Sequence, residues 1–415
     1  MAETEYSPRR EIVRRPSPRG PAGRSDRRAQ KGSAWEKRLT VTSPTHRPDR
    51  ELPTLETLPD PSGRRVLVRA DLDIPVSAAS EPGRSRQLRQ LAPTVHWLLE
   101  RGALVTICGH QGTLGSAHED GTFERTIQAL QELYPRVSVA PNLCADEGTV
   151  ENPELLDRLV YGQDLFVNDD FQWSSAPLTS IVGPPSRLPS AAGRQLEKDV
   201  ALLTPLLATT ERPFVVVLGS RDTVDRLPNL YSLVLRADGV LVGGQMSVPF
   251  LEAIGKQPES DEPPGFIDEC RHAYGVGHEI GHPIQLPSDL VWECRDGRTQ
   301  IGEQDDVLDG SIMDIGPNTA RTFGEIIRGA RTVFWAGSLG RVEDVRFAQG
   351  TLTVAQALAG SSATTIFGGD ALLHVLRAND LLPLDAPIVS ATGSAIALLK
   401  DGDLVGLAAL REQPG

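Results

Sequence analysis

The chain has 415 residues, with 42 Lys and Arg against 55 Asp and Glu and a net charge of −13, which is room for two domains of ordinary size. Aromatic residues make up only 5% of the chain and hydrophobic residues 39%, so the cores must come mainly from Leu, Val, Ile and Ala. No run of about 18 apolar residues occurs and no apolar stretch follows the start, so neither a transmembrane segment nor a secretory signal is expected. The expected location is cytoplasmic. Four cysteines at 108, 144, 270 and 294 lack any paired metal spacing and read as reduced thiols.

In chain order, residues 1–60 come first, rich in Arg, Pro and Ser. Within residues 1–50 there are 13 Lys and Arg against 6 Asp and Glu, a balance of +7 that leaves −20 for residues 51–415. Few apolar groups are available there to offset ordering entropy, so a disordered basic tail is expected, able to contact an acidic surface or to remain solvated. The acidic body should repel nucleic acid over most of its surface. Strand-like runs then alternate with helical spacing. Arg65–Arg69, Leu104–Cys108 and Leu165–Asn168 read as strands, and Leu91–Arg101 and Phe123–Leu133 as helices. A long helix is expected after Gly193, to about Thr209. Further strands are expected at Phe214–Leu218, Gly239–Val242, Thr332–Trp335, Thr364–Phe367 and Pro387–Ser390. Such alternation predicts an α/β fold of parallel sheets covered by helices, with ligands bound at the carboxyl ends of the strands.

The loops after those strands carry the motifs: Arg69-Ala-Asp-Leu-Asp-Ile-Pro75, Gly109-His-Gln-Gly112, Val167-Asn-Asp-Asp-Phe171, Leu188-Pro-Ser-Ala-Ala-Gly193, Leu218-Gly219, Gly243-Gly244, Asp314-Ile-Gly-Pro317, Trp335-Ala-Gly337, Phe347-Ala-Gln-Gly-Thr351 and Gly368-Gly-Asp370. In this order, from about Arg64 to Leu410, the chain resembles the phosphoglycerate kinase family. The resemblance implies two Rossmann-like lobes around a cleft, one for 3-phosphoglycerate and one for Mg-ATP or Mg-ADP, joined by a hinge helix. The expected division is a tail at 1–60, an acceptor-side lobe at 61–193, a hinge helix at 194–209 and a nucleotide-binding lobe at 210–395. A C-terminal segment at 396–415 could return to the first lobe. On the acceptor side the resemblance implies substrate contacts from Asp71, Asp73, His110, Gly112 and Thr113. On the nucleotide side it implies Gly219, Arg226, Gly243, Gly244, Glu343, Gly368, Gly369 and Asp370, with Asp370 also linked to magnesium through the nucleotide. The residues alone leave other roles open. Asp71 and Asp73 could hold their turn, His110 could be a loop histidine, Glu343 a surface charge, and Asp370 a helix cap.

Against that pattern, cations are missing. Gln87 stands where the family has an arginine, with Arg86 one residue away. Asp73 replaces an asparagine, and Thr113, Cys144 and Ala176 fall on further arginine positions. Asp222 replaces the lysine of the transferred phosphate, Asn318 another lysine, and Phe367 the first of three glycines, where it could crowd the phosphates. Trp173 could fill the space left by basic side chains. Phosphoryl transfer rests on positioning and charge neutralisation, and one unit charge about 4 Å away contributes on the order of 4 kcal/mol at an effective dielectric near 20. Reversing such a charge removes several decades of rate. The expectation is a homologue with little or no 3-phosphoglycerate phosphorylation, acting as a pseudoenzyme or a nucleotide-binding regulatory protein with an unidentified protein partner. The alternative is an active ATP-dependent phosphotransferase on a carboxyl group. His278-Glu-Ile-Gly-His282 fits a zinc-protease pattern, but Gly275, Gly277, Gly281 and Pro283 oppose a helix through it, so no zinc is expected.

Overall fold

The computed structural model describes residues 51–74, 85–112, 114, 122–148, 152–208, 210–219, 230–256, 262–306 and 309–413. Thr113, Asp222, Arg226 and the tail up to residue 50 lie outside the described residues.

Short runs of Val, Leu and Ile form strands because branched side chains suit a pleated surface, and here both faces are covered. In the first lobe these are β1 (Arg65–Arg69), β2 (Leu104–Cys108), β3 (Ser138–Val139), β4 (Leu165–Asn168) and β5 (Ser190–Ala192). They lie in the order β3-β2-β1-β4-β5, and every neighbouring pair is parallel. Helices Arg86–Glu100 and Thr122–Leu133 follow β1 and β2. In the second lobe the strands are β6 (Phe214–Leu218), β7 (Gly239–Val242), β8 (Ile284–Gln285), β9 (Asp289–Cys294), β10 (Thr299–Glu303), β11 (Gly310–Ile315), β12 (Thr332–Ala336) and β13 (Thr364–Gly368). Five of them make a second parallel sheet, ordered β13-β12-β6-β7-β8. The other three form a small antiparallel sheet, β10-β9-β11, with a register shift between Ile312 and Asp314.

The helix Arg194–Ala208 joins the lobes and buries Leu196, Leu203 and Leu206. Its first turn is fixed by Asp169, whose Oδ1 accepts from the backbone N–H of Gln195 at 2.8 Å and of Leu196 at 3.2 Å. Those amides have no intrahelical acceptor, so a carboxylate from β4's following loop satisfies them.

Four departures from the sequence reading have physical causes. Residues before 61 are not all tail: Leu55 is fully buried in the first lobe's core, and Pro53 O accepts from Ala192 N at 2.8 Å. Pro387–Ser390 contributes only one bridge, Phe367 to Ile388, because Ser390 turns away from the sheet, its N–H donating to Asp199 of the interlobe helix and its carbonyl accepting from Arg86. The helix Thr392–Asp401 crosses the expected boundary at 395, and helix Val405–Arg411 packs on the first lobe, with Gly406 N donating to Ser174 O at 2.9 Å. Finally, helix Pro264–Ile280 passes through Gly275 and Gly277. Gly277 is compatible because a Cβ there would meet His282 O at 2.7 Å, so close packing outweighs its weak helix propensity. The helix stops at Gly281, at φ +77°, whose N–H bonds to Gly277 O. His282 therefore lies beyond the cap, and the two histidines do not share a helical face. Among the described residues no group of three metal-ligating side chains forms, and no helix is long and apolar enough to cross a membrane.

Candidate functional site

The loop leaving β1 is held by its own carboxylates. Asp71 Oδ1 accepts from Asp73 N at 3.0 Å, and Asp73 Oδ1 accepts from Gly112 N at 3.2 Å. Gln87, mostly buried, donates through Nε2 to Asp73 O at 3.1 Å, so it is used in tying the helix Arg86–Glu100 to the loop. Burial and the nearby Asp170 charge push the Asp71 carboxyl above the ordinary range.

Beneath this loop sits a closed charge cluster. Arg69, at the end of β1, is wholly buried. Its Nη1 donates to Asp170 Oδ2 at 2.6 Å and to Ala70 O at 2.6 Å, and its Nε donates to Ser180 Oγ at 2.8 Å. Its Nη2 lies 2.9 Å from His110 Nδ1 and 3.7 Å from Glu147 Oε2. His110, following β2, is buried as well, with Nδ1 also 3.3 Å from Glu147 Oε2. A proton on Nδ1 goes to Glu147; without one, Nδ1 accepts from Arg69. In both tautomers that nitrogen is engaged within the protein. Trp173 covers the ring edge-on, with centroids 4.6 Å apart. Burial raises the Glu147 carboxyl, but the hydrogen bond from His110 and the Arg69 charge outweigh it and hold it below the ordinary range. Of this cluster, Glu147 carries no sequence signal, since it lies in an unpatterned loop; Arg69 and Asp170 are visible as motif members. Cys144, on an expected arginine position, is buried.

On the facing lobe, Gly219, Gly243 and Gly244 follow β6 and β7. Gly244 has φ +54°, and a Cβ there would meet Gly219 O at 2.6 Å, so both conformation and space require glycine. Gly369, after β13, has φ +106°, and its Cβ would lie 3.1 Å from Gly337 Cα. Gly368 ends β13, and the exposed Asp370 opens helix Asp370–Ala378. Backbone from the loops after β6, β7, β12 and β13 thus packs together at the carboxyl ends of these strands, with Gly219 N donating to Ala336 O, Gly243 N to Leu218 O and Gly337 N to Gly368 O, the end of a parallel sheet where ligands are usually bound. Glu343 is exposed in the segment after β12. Phe367 does not crowd this region: it is 3% exposed and packs in the core beside Trp335. Strand alternation turns it under the sheet. Asp314 caps the helix Gln349–Ala359 by accepting from Gly350 N at 2.8 Å, and burial pushes it up to about 7.

The lobes meet through side chains. Asp199 of the interlobe helix accepts from Ser390 N at 2.8 Å and from Ser390 Oγ at 2.5 Å. Ser394 Oγ donates to Gln172 O at 2.6 Å and lies 3.0 Å from Ser175 Oγ. Arg86 crosses the cleft. Its Nη1 donates to Ser390 O at 2.6 Å, its Nη2 to Asp370 Oδ2 at 3.3 Å, and its Nε lies 3.1 Å from Asp370 Oδ1.

The family model described as phosphoglycerate kinase matches residues 56–152 and 141–402. Curated relatives named phosphoglycerate kinase include one from Herpetosiphon aurantiacus, 30% identical over 85% of this chain and 97% of its own length. Another, from Thermus thermophilus, is 31% identical over 85% and 98%. A solved phosphoglycerate kinase from Pyrococcus horikoshii superposes with a TM-score of 0.69 at 25% identity, covering 86% of this chain and 98% of that one. One from Coxiella burnetii gives the same TM-score of 0.69 at 24% identity, covering 87% and 99%, and supports the fold.

Proposed function

Since this chain belongs to the phosphoglycerate kinase family, we propose that it is a member with little or no 3-phosphoglycerate phosphorylation, serving as a nucleotide-binding regulatory protein. The observation that carries this reading is the fate of the two basic groups beside the acceptor loops. Arg69 and His110 are buried and tied to Asp170 and Glu147, so the Arg69 guanidinium and His110 Nδ1 are already used, and His110 Nε2, which has no hydrogen-bond partner, is itself buried. An acceptor bearing a phosphate and a carboxylate needs guanidinium contacts to replace its hydration. Here Asp71, Asp73 and Gln87 line that approach instead, and two more carboxylates would add repulsion.

The opposite lobe supports nucleotide binding more readily. Gly219 N and Gly243 N are donated to Ala336 O and Leu218 O, which leaves Gly244 after β7 and Gly369 after β13, both at positive φ, as the glycines whose backbone could meet a phosphate without a side chain in the way. Magnesium is commonly held by one or two carboxylates together with nucleotide phosphates, and the single exposed Asp370 fits that requirement. The metal would neutralise phosphate charge, while the chain's own glycines and Asp370 fix where the phosphates lie.

A coupled assay with ATP and 3-phosphoglycerate tests the reading. Turnover is expected far below the ordinary enzymatic range of about 1–1,000 per second, while calorimetry with Mg-ADP gives measurable heat. A rate within that range would make the chain an ordinary kinase and defeat the proposal.

A further inference from the structure

Arg86 joins the helix Arg86–Glu100 of the acceptor lobe to Asp370, the expected metal-linked carboxylate. It is the first residue of helix Arg86–Glu100, with Ser85 as its cap, so its guanidinium leaves a rigid helix end. Three of its contacts reach the other lobe: Ser390 O at 2.6 Å, and both carboxylate oxygens of Asp370 at 3.1 and 3.3 Å. The Nη2 contact is a hydrogen bond, whereas the Nε contact is an ion pair without hydrogen-bond geometry, so the attraction to Asp370 is mainly that of opposite charges. Ser390 is in turn bound to Asp199 of the interlobe helix. Arg86 thus links the acceptor lobe, the nucleotide lobe and, through Ser390, the connecting helix.

From this we propose that Arg86 is an interlobe latch, and that a metal-bound nucleotide releases it by competing for Asp370. One carboxylate cannot give both oxygens to a guanidinium and also serve a hydrated divalent cation without rearrangement. Ligand binding on one lobe would therefore loosen the other, converting nucleotide occupancy into a change of lobe geometry. The helix presents its arginine one position before Gln87, at the residue that faces Asp370, while Gln87 itself bonds to the acceptor loop. The competition part of the proposal rests on the nucleotide reading given above; the latch itself does not.

The test uses the full chain with spin labels at Glu124→Cys and Arg328→Cys, one exposed position in each lobe. The native cysteines are buried and should resist labelling in the folded protein. Interlobe distance distributions are measured without ligand for the labelled parent, Arg86→Gln and Asp370→Asn. Both variants are expected to shift or broaden the distribution, because each removes one side of the same pair. Identical distributions in all three would overturn the latch. Calorimetry with Mg-ADP then reads the competition. Arg86→Gln is expected to bind about 1.4-fold to fivefold more tightly, the range of a partly exposed ion pair. Equal or weaker binding by Arg86→Gln would overturn the release mechanism. Broadened distributions with no Mg-ADP binding to any form would leave the latch standing and refute the nucleotide reading.

Discussion

Arg69 shows how one side chain can be decisive without touching a ligand. Its charge is buried and balanced by Asp170 and Glu147, so its loss would leave two carboxylates without their counter-ion. Breaking a buried pair from one side typically costs about 3–5 kcal/mol. Arg69→Met is expected to lower unfolding stability by that order in urea titration, whereas a neutral result would mean the cluster is solvated. Asp222 lies outside the described residues. Asp222→Lys alone is expected to leave 3-phosphoglycerate turnover near its starting value, because Arg69 and His110 stay sequestered. Recovery of a substantial rate in the coupled assay would show that the acceptor side is competent. The sequence exposes Asp71, His110 and Asp370 through their motifs. It does not expose Glu147, whose importance comes from a buried approach between distant loops.

At the level of elements, helix ends are fixed by carboxylates from neighbouring segments, one in the loop after β4 and one within β11. Asp169 caps the interlobe helix and Asp314 the helix Gln349–Ala359, and burial pushes each up to about 7. An aspartate in the unfolded chain titrates near 3.8. Below that pH both states hold the proton; between there and about 7 only the folded state does. Such a group therefore contributes stability at low pH that is lost as pH rises through the folded pKa. Relative to Asp314→Asn, which cannot titrate, the parent is expected to lose about 2–3 kcal/mol between pH 5 and 8. Parallel pH profiles for the two in chemical denaturation would contradict the raised carboxyl. Strands β1, β2, β4, β6, β7, β12 and β13 were legible from apolar runs, whereas the short β3 and β5 were not, since two or three residues make no run. The extent of helix Pro264–Ile280 was not, because Gly277 is placed by its contact with His282 and not by local propensity. The antiparallel sheet was hidden as well, since polar β10 (Thr-Gln-Ile-Gly-Glu) has no strong pattern of its own.

On the scale of the whole molecule, the C-terminus closes the structure back onto its beginning. Leu407 and Leu410 are fully buried, and Gln413 both donates to Ser190 O at 2.9 Å and accepts from Ser190 N at 2.6 Å. Burying a leucine contributes about 1.5–3 kcal/mol, so truncation after Gly402 is expected to cost several kcal/mol. Hydrogen exchange should then speed up at β5 and in the loop at Ser174; unchanged protection there would show that the last helix is dispensable. The amino-acid sequence by itself determined the alternation of strands and helices, the loops that carry the motifs and the shortage of cations, because each depends on residue type and local order. Only the tertiary structure decided that Arg69 is consumed internally with His110 buried beside it, that Phe367 turns into the core and that Arg86 reaches Asp370. Those outcomes depend on which surfaces meet when residues hundreds of positions apart are brought within hydrogen-bond distance, and no local pattern encodes that meeting.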